Sequence, residues 1–206
     1  REGLFQLGSE EQYRSRRIAD ICEKVCWVCV EQVRAGHILS SRFEVPFGRG
    51  RRIPPITVEA EGRELYIEGK IDRVDILRGE RVKIIDYKTG NENFNRAEAE
   101  AGYRLQLMLY LNACLGERTG GEARKPAGVF YFHISEPMVD WSAKEPDADK
   151  LAQEVRKNFK MNGVLVDDPE VIESIAGDFS GYSEILPLRN GKDGISATGG
   201  DTLLSE

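Results

Sequence analysis

No run of apolar residues in this 206-residue chain approaches the roughly 20 needed to span a bilayer, so the sequence offers no membrane-crossing helix. The N-terminus, Arg1-Glu2-Gly3-Leu4, lacks the apolar core of a secretory signal and does not begin with Met. A piece of a longer protein is therefore expected. No internal repeat is visible, which argues against a solenoid. Only four cysteines are present, too few and too unevenly spaced for a disulfide framework, and a reduced, cytoplasmic protein with no membrane partner is the natural expectation. Three of them, Cys22, Cys26 and Cys29, fall at i, i+4 and i+7 beside Ile18, Ile21, Val25 and Val28. That stripe reads as small buried hydrophobes along one helix face, not as thiolate ligands, because no fourth ligand accompanies it.

What the chain does have is an ordinary core-forming composition, with 40% hydrophobic and 31% charged residues. The net charge of −6 argues at first against a nucleic-acid partner, but its distribution softens that argument. Residues 1–58 hold ten Lys/Arg against seven Asp/Glu, residues 59–134 twelve against thirteen, and residues 135–206 seven against fifteen. The acidity sits in the last third, and the first two-thirds are compatible with DNA contact.

Residues 10 to 35 read as an amphipathic helix with Ser9 as N-cap and Gly36 as stop. Phe43 to Phe47 alternates as a strand, with Pro46 marking an edge or bulge, and Arg49, Arg51 and Arg52 form a basic loop before the short strand Ile56 to Ala60. Glu64 to Leu77 reads as one long strand, Arg78-Gly79-Glu80 as a tight turn, and Arg81 to Lys88 as the returning strand. Arg96 to Leu115 reads as a helix with Leu105, Met108 and Leu109 on its core side. Ala127 to Ile134 is apolar on both faces and so belongs at the centre of a sheet. Asp147 to Phe159 reads as a polar-faced helix. Strands followed by a helix and a further strand give an α/β class with a central mixed sheet flanked by helices. The domain is expected over residues 1–188, and residues 189–206, glycine-rich with few large apolar side chains, as a mobile or disordered tail.

The hairpin carries the chemistry. A three-residue turn at 78–80 pairs Leu77 with Arg81, and counting back sets Asp72 opposite Asp86. Two carboxylates ~5 Å apart repel by about 0.8 kcal/mol in water and roughly 3 kcal/mol at an effective dielectric of 20. A divalent cation resolves that conflict, and all-oxygen ligands favour Mg2+ or Mn2+ over zinc. Lys88, two residues after Asp86, is placed to orient a water or to stabilise charge on a transferring phosphate. The side chain of Tyr87 points the other way, but its backbone carbonyl faces the edge of the site as a further ligand. On the following helix, Gln106 and Tyr110 are i, i+4 and share a face suited to a phosphate or a base. A plain ladder of surface charges is the competing reading of the hairpin alone.

Together, GKIDRVD (69–75), IIDYKTG (84–90) and QLMLY (106–110) resemble the successive motifs of the PD-(D/E)XK nuclease superfamily, RecB-type branch. KPAGVFYFHISEP (125–137) is similar to the strand that follows in the nuclease domain of the AddB/RexB subunit of bacterial helicase–nucleases. The resemblance covers about residues 40–137. It implies a restriction-endonuclease-like core, Asp72 and Asp86 as metal-binding acids, Lys88 as the catalytic lysine, and Gln106 and Tyr110 as substrate contacts. Glu44 matches an acidic position before the first aspartate, and Thr89 and Arg73 are carried as further substrate contacts. The implied reaction is in-line attack of metal-activated water on a DNA phosphodiester, within a helicase–nuclease that pairs with an AddA-like subunit in double-strand-break repair and recombination.

Two departures qualify the resemblance. The branch carries a metal-ligand histidine on an upstream helix, whereas His37 follows a helix end and His133 lies in a strand. The AddB-type domain carries an iron–sulfur cluster whose last three cysteines lie near its C-terminus, and no cysteine here follows Cys114, so no iron–sulfur cluster is expected in this fragment. Truncation at both ends is the resulting expectation. A stand-alone RecB-like or CRISPR-associated nuclease is a second reading. A catalytically silent DNA-binding module is a third, which the intact Asp72, Asp86 and Lys88 oppose.

Overall fold

The computed structural model describes residues 8–119, 122–134, 159–198 and 202–205. Helix α1 (Ser9–Ala35) leads into β1 (Ile38–Phe47). A ribbon of β2 (Ile56–Ala60) and β3 (Arg63–Ile67) precedes the hairpin of β4 (Gly69–Leu77) and β5 (Arg81–Lys88). Two helices follow, α2 (Arg96–Glu100) and α3 (Gln106–Leu115), then the short ribbon β6 (Arg118–Thr119) and β7 (Glu122–Ala123) and the strand β8 (Lys125–His133). Next come β9 (Asn162–Val166), α4 (Pro169–Ala176), a small sheet of β10 (Gly181–Tyr182), β11 (Leu188–Gly191) and β12 (Gly194–Ala197), and finally β13 (Leu203–Leu204).

The main sheet has the order β1-β4-β5-β8-β9-β13. The β5–β8 and β9–β13 pairs are parallel and the others antiparallel, the mixed sheet that the sequence leads one to expect. The segment AGVFYFHI is indeed interior: β8 lies between β5 and β9 with Ala127, Val129, Phe130, Tyr131 and Phe132 all buried. Its alternate residues feed two cores. Phe130 and Phe132 join Val28 of α1, Leu77, Ile85, Ile172 and Ile175 on one face. Val129 and Tyr131 join Val74, Ile76, Val82, Ile84, Leu107 and Cys114 on the other, under α3. The hairpin register agrees with the count made from the turn, running from Leu77 opposite Arg81 to Arg73 opposite Ile85.

Several elements differ from their reading in the sequence. The cap of α1 is Gly8, not Ser9, with the Gly8 N–H donated to Glu11 Oε2 at 2.9 Å. Cys22 and Cys26 are exposed and Cys29 is half-buried, because α1 turns Val25, Val28 and Cys29 to the sheet and its first half stands clear, with Ile18 61% exposed. The stretch Glu64 to Leu77 is two strands. β3 folds back on β2, and Glu68 at the break accepts the Arg49 N–H at 2.8 Å.

The helix over 96–115 is also broken in two, since Gly102 at φ 84° and Arg104 at φ 52° cannot continue a right-handed helix. The break leaves Leu105 38% exposed as the N-cap of α3. Leu107, Ala113 and Cys114 are the helix's buried side chains; of the three residues expected on the core side, Met108 is half-buried against that core, whereas Leu105 is exposed and Leu109 is only half-buried. Beyond residue 188, where a loose tail was expected, β11, β12 and β13 form, the last adding to the main sheet beside β9. Helix α4 begins on Asp168, whose Oδ1 accepts the Glu170 N–H at 2.8 Å, with Pro169 at its first turn. Apart from Phe159, the helix expected over Asp147 to Phe159 lies outside the described residues.

Candidate active site

The antiparallel hairpin puts the start of β4 and the end of β5 at the same end of the sheet, and the candidate residues gather there. The β4–β5 ladder stops at Arg73–Ile85, one position short of Asp72. At that level β1 carries a local distortion, with Glu44 at φ 51°. Side-chain alternation shifts across it: Phe43 lies with Arg73 toward α1, while Val45 and Ile71 join the core under α3. Opposite this distortion, Asp72 Oδ2 accepts the Tyr87 N–H at 2.9 Å. The N–H and C=O of one strand residue point to the same edge, so the Tyr87 carbonyl is directed to the Asp72 side.

Asp86 is 3% exposed. Burial pushes its carboxyl up, the Lys88 ammonium opposes that rise, and the charges of Asp72 and Glu92 add to it. Lys88 Nζ stands 2.8 Å from Asp86 Oδ2 and donates to Gln106 Oε1 at 2.9 Å. Gln106 Nε2 in turn donates to Tyr110 OH at 2.9 Å. Tyr110 packs edge-on against Phe47, ring centroids 6.0 Å apart. One polar chain thus runs Asp86–Lys88–Gln106–Tyr110 and joins the returning strand to α3. It depends on the helix break, which makes Gln106 the first residue of α3.

The remaining candidates divide. Thr89 is exposed at the end of β5, beside the site. Glu44 lies on the strand next to Asp72, but its carboxylate pairs with Lys70. Among the described residues no three His, Cys, Asp or Glu side chains converge as a metal cage, so Glu44 is not drawn in with Asp72 and Asp86. Arg73 does not reach the catalytic side. It is 2% exposed on the α1 side of β4, where Nε donates to Asp75 Oδ1 at 2.8 Å. Asp75 also holds Lys83 Nζ at 2.8 Å and the Ser41 hydroxyl at 2.7 Å. Burial would raise the Asp75 carboxyl, but Lys83 and Arg73 outweigh it and hold the group below the usual carboxylate range.

Sequence reasoning gives little weight to three neighbours. Glu92 Oε2 lies 3.7 Å from Lys88 Nζ. His133 is the register partner of Lys88 in β8, and its Nε2 lies 2.8 Å from the Glu92 carbonyl. The Tyr131 ring has Lys88 Nζ 5.0 Å from its centroid. The period of two along Val129, Tyr131 and His133 is the signal that could have found the last two.

The donor set fits a hard divalent cation. It comprises two carboxylates and a strand carbonyl, and Asp86 Oδ2 is buried without a directed hydrogen bond although the ammonium is near. Mg2+ is commonly held by one or two carboxylates, with waters and substrate phosphates completing its shell.

The chain is similar to several known proteins. The chain is 36% identical over 203 residues to the B-type subunit of the ATP-dependent helicase/deoxyribonuclease of Alkaliphilus oremlandii, covering 95% of this chain and 18% of that protein. It is 33% identical over 198 residues to the corresponding subunit of Thermoanaerobacter sp. (strain X514) and 34% over 196 residues to that of Clostridium tetani, covering 94% and 91% of this chain and 17% of each relative. The chain therefore spans less than a fifth of the length of these relatives. The model of the PD-(D/E)XK nuclease superfamily, whose members use divalent metal ions and share a restriction-endonuclease-like fold, matches residues 2–182. That match takes in both strands of the hairpin, α3 and β8, and the chain belongs to the PD-(D/E)XK nuclease superfamily.

Proposed function

We propose that this chain is the nuclease domain of a helicase–nuclease subunit and that it hydrolyses DNA phosphodiester bonds, as an exonuclease serving double-strand-break repair and recombination in the cytoplasm. Asp72, Asp86 and the Tyr87 carbonyl would hold Mg2+ or Mn2+. Bound there, the cation supplies a polarised phosphate and an acidified water. The protein's own groups do the rest. Asp86 and Gln106 hold the Lys88 ammonium, with Glu92 Oε2 3.7 Å away, and present it to a phosphate oxygen. Tyr110 and Gln106 set the position of that ammonium from α3. Thr89, exposed at the strand end, is placed to contact the substrate backbone. The DNA substrate and an AddA-like partner belong to this reading because the relatives are subunits of helicase/deoxyribonucleases.

The observation that carries it is the Asp86–Lys88–Gln106–Tyr110 chain, which joins residues far apart in sequence into one polar line beside Asp72. A charge ladder kept for solubility needs no half-buried glutamine relay. The test is cleavage of linear DNA with Mg2+ or Mn2+ by the full-length protein carrying this domain, wild type against Asp86→Ala. Loss of cleavage in the variant is expected, and equal cleavage by the two proteins would remove the catalytic assignment.

A further inference from the structure

The basic loop between β1 and β2 is used by neither the candidate active site nor the core. Its base is clamped: the Gly48 N–H donates to the Ile53 carbonyl at 3.0 Å, and Ile53 is fully buried in the core under α3. Gly50, at φ 69°, turns the backbone between Arg49 and Arg51. The base stands at the active-site end, because Phe47 packs against Tyr110 and lies opposite Gly69, three residues before Asp72. The three arginines of the loop then diverge. Arg52 turns back toward Glu117, with Nε 2.6 Å from Oε1, and shares that carboxylate with Arg42. Arg49 turns to the β2–β3 ribbon, where its guanidinium carbon lies 3.9 Å from the centroid of the Tyr66 ring and its backbone N–H donates to Glu68. Arg51 is exposed, and among the described residues neither it nor Arg49 carries an ion pair.

We propose that Arg49 and Arg51 grip phosphates of the DNA strand that enters the site at Asp86 and Lys88. The proposal rests on the nuclease reading above. A guanidinium stacked on a ring engages only its face, and its five N–H donors lie in its plane. Tyr66 therefore holds Arg49 in place while leaving in-plane donors for the two free oxygens of a phosphodiester, which they match as a pair. The ring is anchored in turn by its hydroxyl, which donates to Glu64. A cation–π pair kept for the ribbon's own stability accounts for Arg49 but leaves Arg51 beside it without a role. Carboxylates limit the footprint. Glu59 and Glu64 form the cross-strand pair beyond Thr57 and Tyr66 on the same ribbon face. At the root, Glu68 is already bonded to the Arg49 N–H, and Lys70 is already paired with Glu44. A polyanion is thus repelled by the outer ribbon and drawn to the loop, where Arg49 and Arg51 stand in a chain whose net charge is −6.

The test uses the full-length protein carrying this domain and a fluorescein-labelled oligothymidylate, bound in EDTA by anisotropy and, separately, cleaved with Mg2+. Each phosphate contact contributes about 0.7 to the slope of log affinity against log salt on a single strand. Arg49→Gln/Arg51→Gln is expected to make that slope shallower by about 1.4 and to raise KM for cleavage while kcat holds. Arg52→Gln, at a guanidinium held by Glu117, is expected to keep the wild-type slope. Arg49→Lys/Arg51→Lys retains both charges and is expected to restore the slope. All three sites are exposed, and a circular dichroism melt matching wild type confirms the fold. An unchanged slope in the double glutamine protein, an equal flattening in Arg52→Gln, or a loss in kcat with KM unmoved overturns the grip while leaving Asp86-dependent cleavage as a separate result. Failure of the wild-type protein to bind oligothymidylate overturns it too. If the wild-type protein binds but does not cut, the nuclease reading falls, and the slopes in EDTA decide by themselves whether Arg49 and Arg51 hold the strand.

Discussion

Lys88 is held from two sides, by Asp86 on its own strand and by Gln106 on α3. Burial would lower its ammonium, but Asp86 outweighs that and holds it above the usual lysine value, so it acts as a fixed cation. Lys88→Ala should lower kcat by ~10²–10³, the range for losing one donor that stabilises transition-state charge. Gln106→Ala should cost less, about tenfold, because Asp86 still tethers the ammonium; supporting groups of this kind are worth ~10–100-fold. Single-turnover cleavage by the full-length protein checks both, and a larger loss for Gln106→Ala than for Lys88→Ala would contradict the relay. The buried, weakly satisfied Asp86 also implies that a cation stabilises the fold. A thermal-shift titration with Mn2+ should raise the wild-type melting point, by the equivalent of about 2.7 kcal/mol at a hundredfold excess over Kd, and leave Asp86→Ala unmoved.

At the scale of elements, the two strands that carry the candidate acids are braced from behind. Arg73, Asp75 and Lys83 are each at most 2% exposed, and through Ser41 they tie β1 to β4 and β5. Asp75→Asn leaves two buried cations without their carboxylate and should destabilise the protein by ~3–5 kcal/mol in denaturant unfolding. Because the folded Asp75 carboxyl is depressed, its contribution is present above the ordinary aspartate value of about 4 and is lost as pH falls through the lower folded value. Stability of Asp75→Asn should accordingly vary less with pH across that acid range than wild type does. The distortion on β1 gives a second test. Glu44 occupies a left-handed conformation, and its carboxylate pairs with the exposed Lys70. Glu44→Gly should change stability by no more than about 1 kcal/mol, whereas Glu44→Val should cost ~1–3 kcal/mol, since a β-branched residue resists that φ. Equal melts for the two variants would remove the strain argument.

Across the whole molecule, β8 and β9 hold the two cores together. At Gly163 an added Cβ would lie 2.0 Å from the Val129 carbonyl oxygen, so the two strands approach as closely as backbone allows. Gly163→Ala should force them apart and destabilise both faces at once, by about 3 kcal/mol at the upper end of overpacking effects. Near- and far-ultraviolet circular dichroism should then lose signal in a single transition at a lower denaturant concentration than wild type. Two separated transitions would mean that the faces fold independently.

The hairpin was legible in the sequence because it is local. Strand alternation and a three-residue turn determine the register from Leu77–Arg81 back to Arg73–Ile85, and that register carries Asp72 and Asp86 to the same end of the sheet. The central position of β8 was legible for the same reason, through its unbroken apolar run. Periodicity alone did not reveal the break before Gln106, the left-handed turn of the backbone at Glu44, the burial of Arg73 or the strands at 188–191, 194–197 and 203–204. The burial of Arg73 and the late strands are decided by contacts between segments distant in sequence, whereas the break before Gln106 lies in the local backbone at Gly102 and Arg104. Arg73 could be solvent-facing or buried until Asp75, Lys83 and Ser41 were placed around it. The β3 segment could extend β4 until β2 offered it a closer partner. Residue type and spacing therefore determined which groups can perform the chemistry, while long-range pairing and burial decided which of them meet.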